Sequence, residues 1–443
     1  MKRLSIDNGI AWLLLAILAG LVIHAPLSVW LVSHGAPVWV KAWKELLMVV
    51  VVATMITQAI RTHQYVDIFR RSRLLQLIAA YSVLHLVMLL YSGFNLATLA
   101  GLMIDLRFVA YFFLVYIFVS ARPVYRAMFV RVGIAGAALV TGFALMQVLL
   151  PHDALKYLGY SQATIQPYIL LDENPAYVRM NSTLRGPNPL GAYVMIVVLG
   201  VVSYGMKVGR SLRKSSSRHW LHVLLLVGGV VALLSSYSRS AWLGLIAGMS
   251  VLGYVWYQKT PLRTNQLIAI AVFVLSLGCI AYGLRDTDFY KNVILHDNPT
   301  TGAAVTSDVA HAESLAHGLR RMAAQPYGAG IGSTGSASLL GETPLIIENQ
   351  YLMVAHEVGW LGVIVFISVW AMVLWQLWLL RTDWLARALC ASGVGLVVVS
   401  MMWPVLADDP VSMIWWGLAA VALVPDIRKK GAKHGTTTHK KTA

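Results

Sequence analysis

Residues 349–380 read NQYLMVAHEVGWLGVIVFISVWAMVLWQLWLL, in which His356 and Glu357 are the only side chains that ionise near neutral pH. A helix needs about 20 apolar residues to cross the hydrocarbon core of a bilayer, so this stretch predicts a membrane span with length to spare. Apolar runs of the same kind recur on both sides of it, from Leu13 to Val424. Twelve spans are predicted, at 9–32, 38–60, 74–92, 101–119, 127–150, 187–207, 219–235, 241–257, 265–283, 349–380, 386–404 and 410–425. Of 443 residues, 58% are hydrophobic and 12% are charged, with a mean hydropathy of +0.68. Soluble domains carry about twice that charged fraction, which excludes an ordinary soluble enzyme. The predicted fold class is an all-α polytopic membrane protein, with one transmembrane domain over 1–425 and a basic tail over 426–443 that reads as disordered. Cys279 and Cys390 both fall in apolar runs and imply neither a disulfide framework nor a metal knuckle. The N-terminal MKRLSIDNGIAWLLLAILAG lacks a small-residue cleavage site and is read as a retained first span. The 15 Trp and 19 Tyr are read as interfacial belts.

The net charge of +16 would suggest nucleic acid in a soluble protein. Here it follows the loops instead. With the N-terminus inside, the inner loops and termini hold 24 of the 35 Lys and Arg, but only Asp7, Asp67, Asp383 and Asp426 of the 19 acids. The positive-inside rule then puts both termini in the cytoplasm, and no nucleic-acid partner is expected. Two long loops face outward, at about 151–186 and 284–348. Loops of this length without an apolar core of their own are usually functional. In the second, the spacing of His311, Leu315, Leu319 and Met322 predicts an amphipathic helix lying over the membrane core.

The basic residues that break the charge rule are the informative ones. Arg239 stands in Ser235-Ser-Tyr-Ser-Arg-Ser-Ala241, a short polar turn between two spans at the outer face. Arg179 and Arg185 flank Met-Asn-Ser-Thr-Leu and precede Gly186-Pro-Asn-Pro-Leu-Gly191, which leads into the next span. A guanidinium fixed on such a turn presents a planar fork of donors suited to a phosphate. Of the two, Arg179 is expected to matter less, since it lies further from the membrane. At the start of the tenth span, Glu348 and Asn349 stand at the mouth of the helix, and Gly359 and Gly362 are read as close-packing positions deeper in it. A carboxylate there can act as a base or simply favour the helix dipole. The arginines can equally pair with Asp172 or Glu173.

Taken in order, Arg179…Gly-Pro-Asn188-Pro-Leu-Gly191, Ser235-Ser-Tyr-Ser-Arg239-Ser-Ala241-Trp-Leu-Gly, Pro326-Tyr-Gly-Ala-Gly-Ile-Gly332 and Glu348-Asn349-Gln…Gly359-x-x-Gly362 resemble the O-antigen ligase/polymerase superfamily of bacterial envelope glycosyltransferases. Within it, the chain looks most like the O-antigen ligases. The resemblance implies a bacterial inner-membrane enzyme with its active site on the periplasmic side. It implies an undecaprenyl-diphosphate-linked glycan as donor, a lipid A–core sugar hydroxyl as acceptor, and neither metal, nucleotide nor other cofactor. Arg185 or Arg179, together with Arg239, would hold the donor diphosphate. Many members carry a histidine before the Asn of the last motif, proposed as the base; here that position is Glu348. The base is then Glu348, or His311 reaching in from the outer helix. An O-antigen polymerase, a protein O-oligosaccharyltransferase and, from another class, a lipid-linked glycan transporter remain open.

Two short matches fail on context. Gly330-Ile-Gly-Ser-Thr-Gly335 spells a dinucleotide fingerprint, but no predicted strand precedes it. His356-Glu357 starts a zinc-protease pattern whose second histidine is absent at Trp360.

Overall fold

The structure is a computed structural model that describes residues 2–171, 173–209, 216–260, 282–288, 290–295 and 307–425, with isolated positions between 261 and 281. Among these residues the chain is a bundle of α1 (Lys2–Leu21), α2 (His24–Ser33), α3 (Trp43–Thr62), α4 (Gln64–Arg71), α5 (Arg73–Ser92), α6 (Leu96–Ala121) and α7 (Arg126–Leu149). It continues with α8 (Pro187–Val208), α9 (Ser216–Ser235), α10 (Arg239–Lys259), α11 (Ser307–Ala324), α12 (Gln350–Leu379), α13 (Trp384–Val399) and α14 (Asp409–Leu423). Seven of the described helices, α3, α5, α6, α7, α8, α10 and α12, are long and apolar enough to cross a membrane. The ninth predicted span (265–283) and the tail (426–443) lie outside the continuously described residues.

The first predicted span differs from expectation, since α1 and α2 meet at 80°. Pro26 is the cause. It has no N–H to donate to the carbonyl four residues back, and its ring crowds that carbonyl, so the helix breaks in the turn before it. The 151–186 connection is also not a plain loop. It contains a small antiparallel hairpin, β1 (Ile169–Leu171) with β2 (Asn174–Arg179), in which Ile169 pairs with Arg179.

Small residues set the central packing. Gly244 of α10 and Gly395 of α13 face each other so closely that a Cβ on Gly244 would lie 2.9 Å from the Gly395 carbonyl oxygen. Helices in a bilayer gain little from apolar transfer, so close backbone approach of this kind is what binds them. α14 lies innermost, with Trp415 and Trp416 fully buried. Trp370 stacks on Trp415 at 4.8 Å, and Trp416 meets Phe108 and Phe112. These three tryptophans therefore depart from the interfacial belt expected of them; they fill the core, where their large rings bury the most area.

Candidate functional site

The helix starts of α6, α8, α10, α12 and α14 gather at the bundle end that carries the long connections. There a cavity of about 580 Å³ opens, with Arg179, Arg239, Glu348 and Asn349 in its wall. Tyr237 and Trp403 add aromatic surface, and Leu315 of α11 contributes from the connection expected over about 284–348. The volume falls within the range of small-molecule sites.

Each polar member is held by a local rule of folding. Arg179 ends β2, and its guanidinium donates from Nε to the Ser236 carbonyl (2.9 Å) and from Nη2 to Asn188 Oδ1 (2.6 Å). It thereby ties the hairpin to the α9–α10 turn and to the first turn of α8. In that turn Tyr237 adopts φ +49°, a left-handed conformation uncommon for a side chain of its size. Arg239 is the first residue of α10 and donates from Nη1 to the Ile294 carbonyl (3.1 Å). Asn349 caps α12: its Oδ1 accepts from the Tyr351 and Leu352 amides, while its Nδ2 donates to the Met401 carbonyl at 2.8 Å. Glu348 sits immediately before that cap, partly buried.

Asn188, Arg239 and Asn349 belong to the starts of α8, α10 and α12 respectively, so three helix N-termini border one cavity. Each brings the positive end of a macrodipole, although at α12 the first amides are already taken by Asn349 Oδ1 and the Ser400 carbonyl, and at α8 Pro187 and Pro189 have no N–H to offer. Two guanidinium groups and three dipole ends make this side of the cavity positive, and an oxygen-rich phosphate suits the guanidinium forks.

Arg185 is not in this cavity wall. Its Nε lies 3.7 Å from Oδ2 of Asp408, a fully buried carboxylate next to the start of α14. Burial pushes the Asp408 carboxyl up to about 6, while Arg185 opposes that rise. Next to it, Asp409 is contacted by Lys44 Nζ (2.8 Å), His24 Nε2 (3.3 Å) and Arg107 Nη1 (3.8 Å). Lys44 and Arg107 lie outside the inner loops, against the charge rule, and their shared partner Asp409 stands 365 and 302 residues further along the chain, beyond any spacing rule. This cluster pins the 400–409 connection, whose Met401 and Trp403 form one side of the cavity. His311 lies in α11, and its side chain is outside the described residues, as is Asp172.

The expected helix over the second long loop is present as α11, but the packed face differs. Gly318 and Met322 meet α12 and its flank, whereas Leu315 and Leu319 stay exposed. Gly359 also differs from the close-packing role read for it. With φ +72° it kinks α12, and the Pro326–Gly332 segment docks into the break. The Ala329 and Gly330 amides donate to the His356 and Glu357 carbonyls that the kink releases, and the Trp360 amide donates to the Pro326 carbonyl. The glycine string that spells a dinucleotide fingerprint is therefore a docking turn. Gly362 stands one turn further on, where its neighbours are Val358 and Val354 of the same helix. Among the described residues, no group of three or more His, Cys, Asp or Glu is arranged to hold a metal ion.

No protein-family model and no curated protein matches the chain.

Proposed function

We propose that the chain is a membrane glycosyltransferase that moves a glycan from a polyprenyl diphosphate to a sugar hydroxyl at the periplasmic face of a bacterial inner membrane. The observation that carries this reading is the cavity in which Arg179, Arg239 and Glu348 meet three helix N-termini. In the proposed topology twelve spans leave both termini in the cytoplasm and the cavity on the far side. The acceptor is a lipid A–core sugar, as the resemblance to O-antigen ligases suggests.

The chemistry needs little from the protein beyond placement and charge. A sugar bonded through C1 to a diphosphate already has a good leaving group. The acceptor oxygen forms a bond to C1 as the bond from C1 to the diphosphate oxygen breaks, with inversion at C1. Negative charge grows on the departing diphosphate, where Arg239 and the helix ends stabilise it without reorganising. Glu348 takes the proton of the acceptor hydroxyl. Arg179, whose fork already grips Ser236 and Asn188, holds the turn that presents Arg239 as much as it holds phosphate.

The test is reconstitution of the purified protein with lipid-linked glycan and lipid A–core, without ATP or divalent metal. A glycosylated lipid A–core product supports the reading. A lengthened donor glycan would instead indicate a polymerase, glycan on an added acceptor protein a protein O-oligosaccharyltransferase, and binding or flipping without product a transporter.

A further inference from the structure

Between α3, α5 and α6 a groove of about 770 Å³ runs toward the bundle end opposite the candidate cavity, where α4 closes it. Its floor is α6 from Leu102 to Ile117, a length of about 22 Å at the helical rise. That exceeds half the hydrocarbon thickness of a bilayer, about 15 Å, so a chain reaching one leaflet deep fits along it. α5 contributes only between Ile78 and Val83, and the groove therefore has two walls in the half next to α4. Its rim is apolar and open to the side, with Val49, Ile56 and Val83 each more than half exposed. No glycine is in the lining, and branched side chains on the rim suit flexible hydrocarbon better than a second helix, which needs small residues for close approach.

The closed end is a built structure. Tyr65 of α4 is buried and donates from its hydroxyl to Gln58 Oε1 (2.7 Å), and Gln58 Nε2 donates to Asp7 Oδ1 (3.2 Å). Arg122 donates from Nε to Asp7 Oδ2 (2.6 Å) and from Nη1 to Gln64 Oε1 (2.8 Å). α4 is thereby tied to α1, α3 and the end of α6. It turns Tyr65, Val66 and Phe69 into the groove, and Arg70 stands one helical turn beyond Val66 on the same face. Arg71 ends α4, Arg73 opens α5 and Arg61 lies in the last turn of α3. All four arginines are exposed, and among the described residues none pairs with a carboxylate. Asp67 is the only acid between residues 61 and 73. Topogenesis accounts for basic residues on a loop, but not for a pinned amphipathic helix that sets them beside the end of an apolar groove.

We propose that this groove is a binding site for one anionic glycerophospholipid, with an acyl chain lying along α3, α5 and α6 and the phosphate at Arg70, Arg71 and Arg73. The guanidinium forks match phosphate oxygens, and a basic rim between helix ends favours an anionic headgroup over a zwitterionic one. The site does not depend on the transferase reading, because it lies at the other end of α3 and α6 from the candidate cavity and its test contains no glycan.

The experiment is native mass spectrometry of the full chain in detergent. It is titrated with phosphatidylglycerol, with phosphatidylcholine of the same acyl chains, or with a polyprenyl phosphate. The wild type should retain one phosphatidylglycerol about tenfold or more tightly than phosphatidylcholine. Its thermal midpoint should rise with phosphatidylglycerol, since a ligand that binds only the folded chain stabilises it. The triple variant Arg70→Gln, Arg71→Gln, Arg73→Gln keeps polar side chains at the surface, and should hold the two phospholipids equally. Ala79→Trp fills the walled half of the groove and leaves the arginines in place, so it should abolish retention of both. If that variant does not fold, the arginine variant still decides the question. Equal retention of the two phospholipids by the wild type overturns the proposal, as does an unchanged preference in the triple variant or wild-type retention in a folded Ala79→Trp. Tighter retention of the polyprenyl phosphate also overturns it and assigns the groove to a lipid carrier.

Discussion

Arg239 opens α10, so its guanidinium and the first amides of its own helix point positive charge in the same direction. Arg239→Ala is expected to abolish glycan transfer while leaving membrane expression intact. Arg239→Lys should rescue it poorly, because one compact ammonium replaces a planar fork. Wild-type turnover in the alanine variant would remove that residue from the scheme. Arg179→Ala is expected to cost more activity than Arg185→Ala, which reverses the order suggested by distance from the membrane along the chain. The hairpin folds Arg179 back onto Ser236 and Asn188, whereas Arg185 turns toward Asp408. Both arginines were legible in the sequence as candidates; their order was not, because it depends on a tertiary partner for each. Glu348→Gln preserves shape but not basicity, and should lower turnover by about 10²-fold with donor binding retained. If that variant remains active while His311→Ala is dead, the base is the imidazole on α11.

At the scale of elements, apolar run length located the described helices well, and backbone exceptions escaped it. Pro26 stands in plain view, yet the apolar run around it continues on both sides, so hydropathy alone joins two helices that diverge by 80°. Gly359 was visible as half of a Gly-x-x-Gly pattern, and the pattern favours helix packing. Only the docked segment reveals that the residue must take positive φ. A Cβ at Gly359 would stand 2.4 Å from the Pro326 carbonyl oxygen. Gly359→Ala is therefore expected to straighten α12 or to expel the Pro326–Gly332 segment, at a cost of roughly 1–3 kcal/mol. Thermal unfolding in detergent measures that loss directly. An unchanged midpoint would mean that the kink is relaxed without strain.

For the molecule as a whole, the all-α membrane architecture was readable from composition and run length, because a bilayer admits so few solutions. The cavity was readable only as three separate motifs, those of Arg179 and Asn188, of Arg239, and of Glu348 and Asn349, since α8 and α10 are joined by glycine contacts such as Gly191 against Ala241, whereas α12 is held through α13. Positive charge supplied by fixed guanidinium groups and helix ends leads to a further expectation: EDTA should leave transfer essentially unchanged. Strong loss on chelation, restored by Mg²⁺ or Mn²⁺, would assign the acids of the long connections a coordinating role. The three helix starts around the cavity carry one more consequence. Peptide groups neither titrate in the physiological range nor disappear when a side chain is replaced. A variant lacking both Arg179 and Arg239 should accordingly retain a weak affinity for inorganic pyrophosphate, with a pH dependence that follows the protonation of the pyrophosphate itself. The helix dipoles are inherited with the backbone, and the arginines raise the cavity from a place where phosphate rests to one where it can be made to leave.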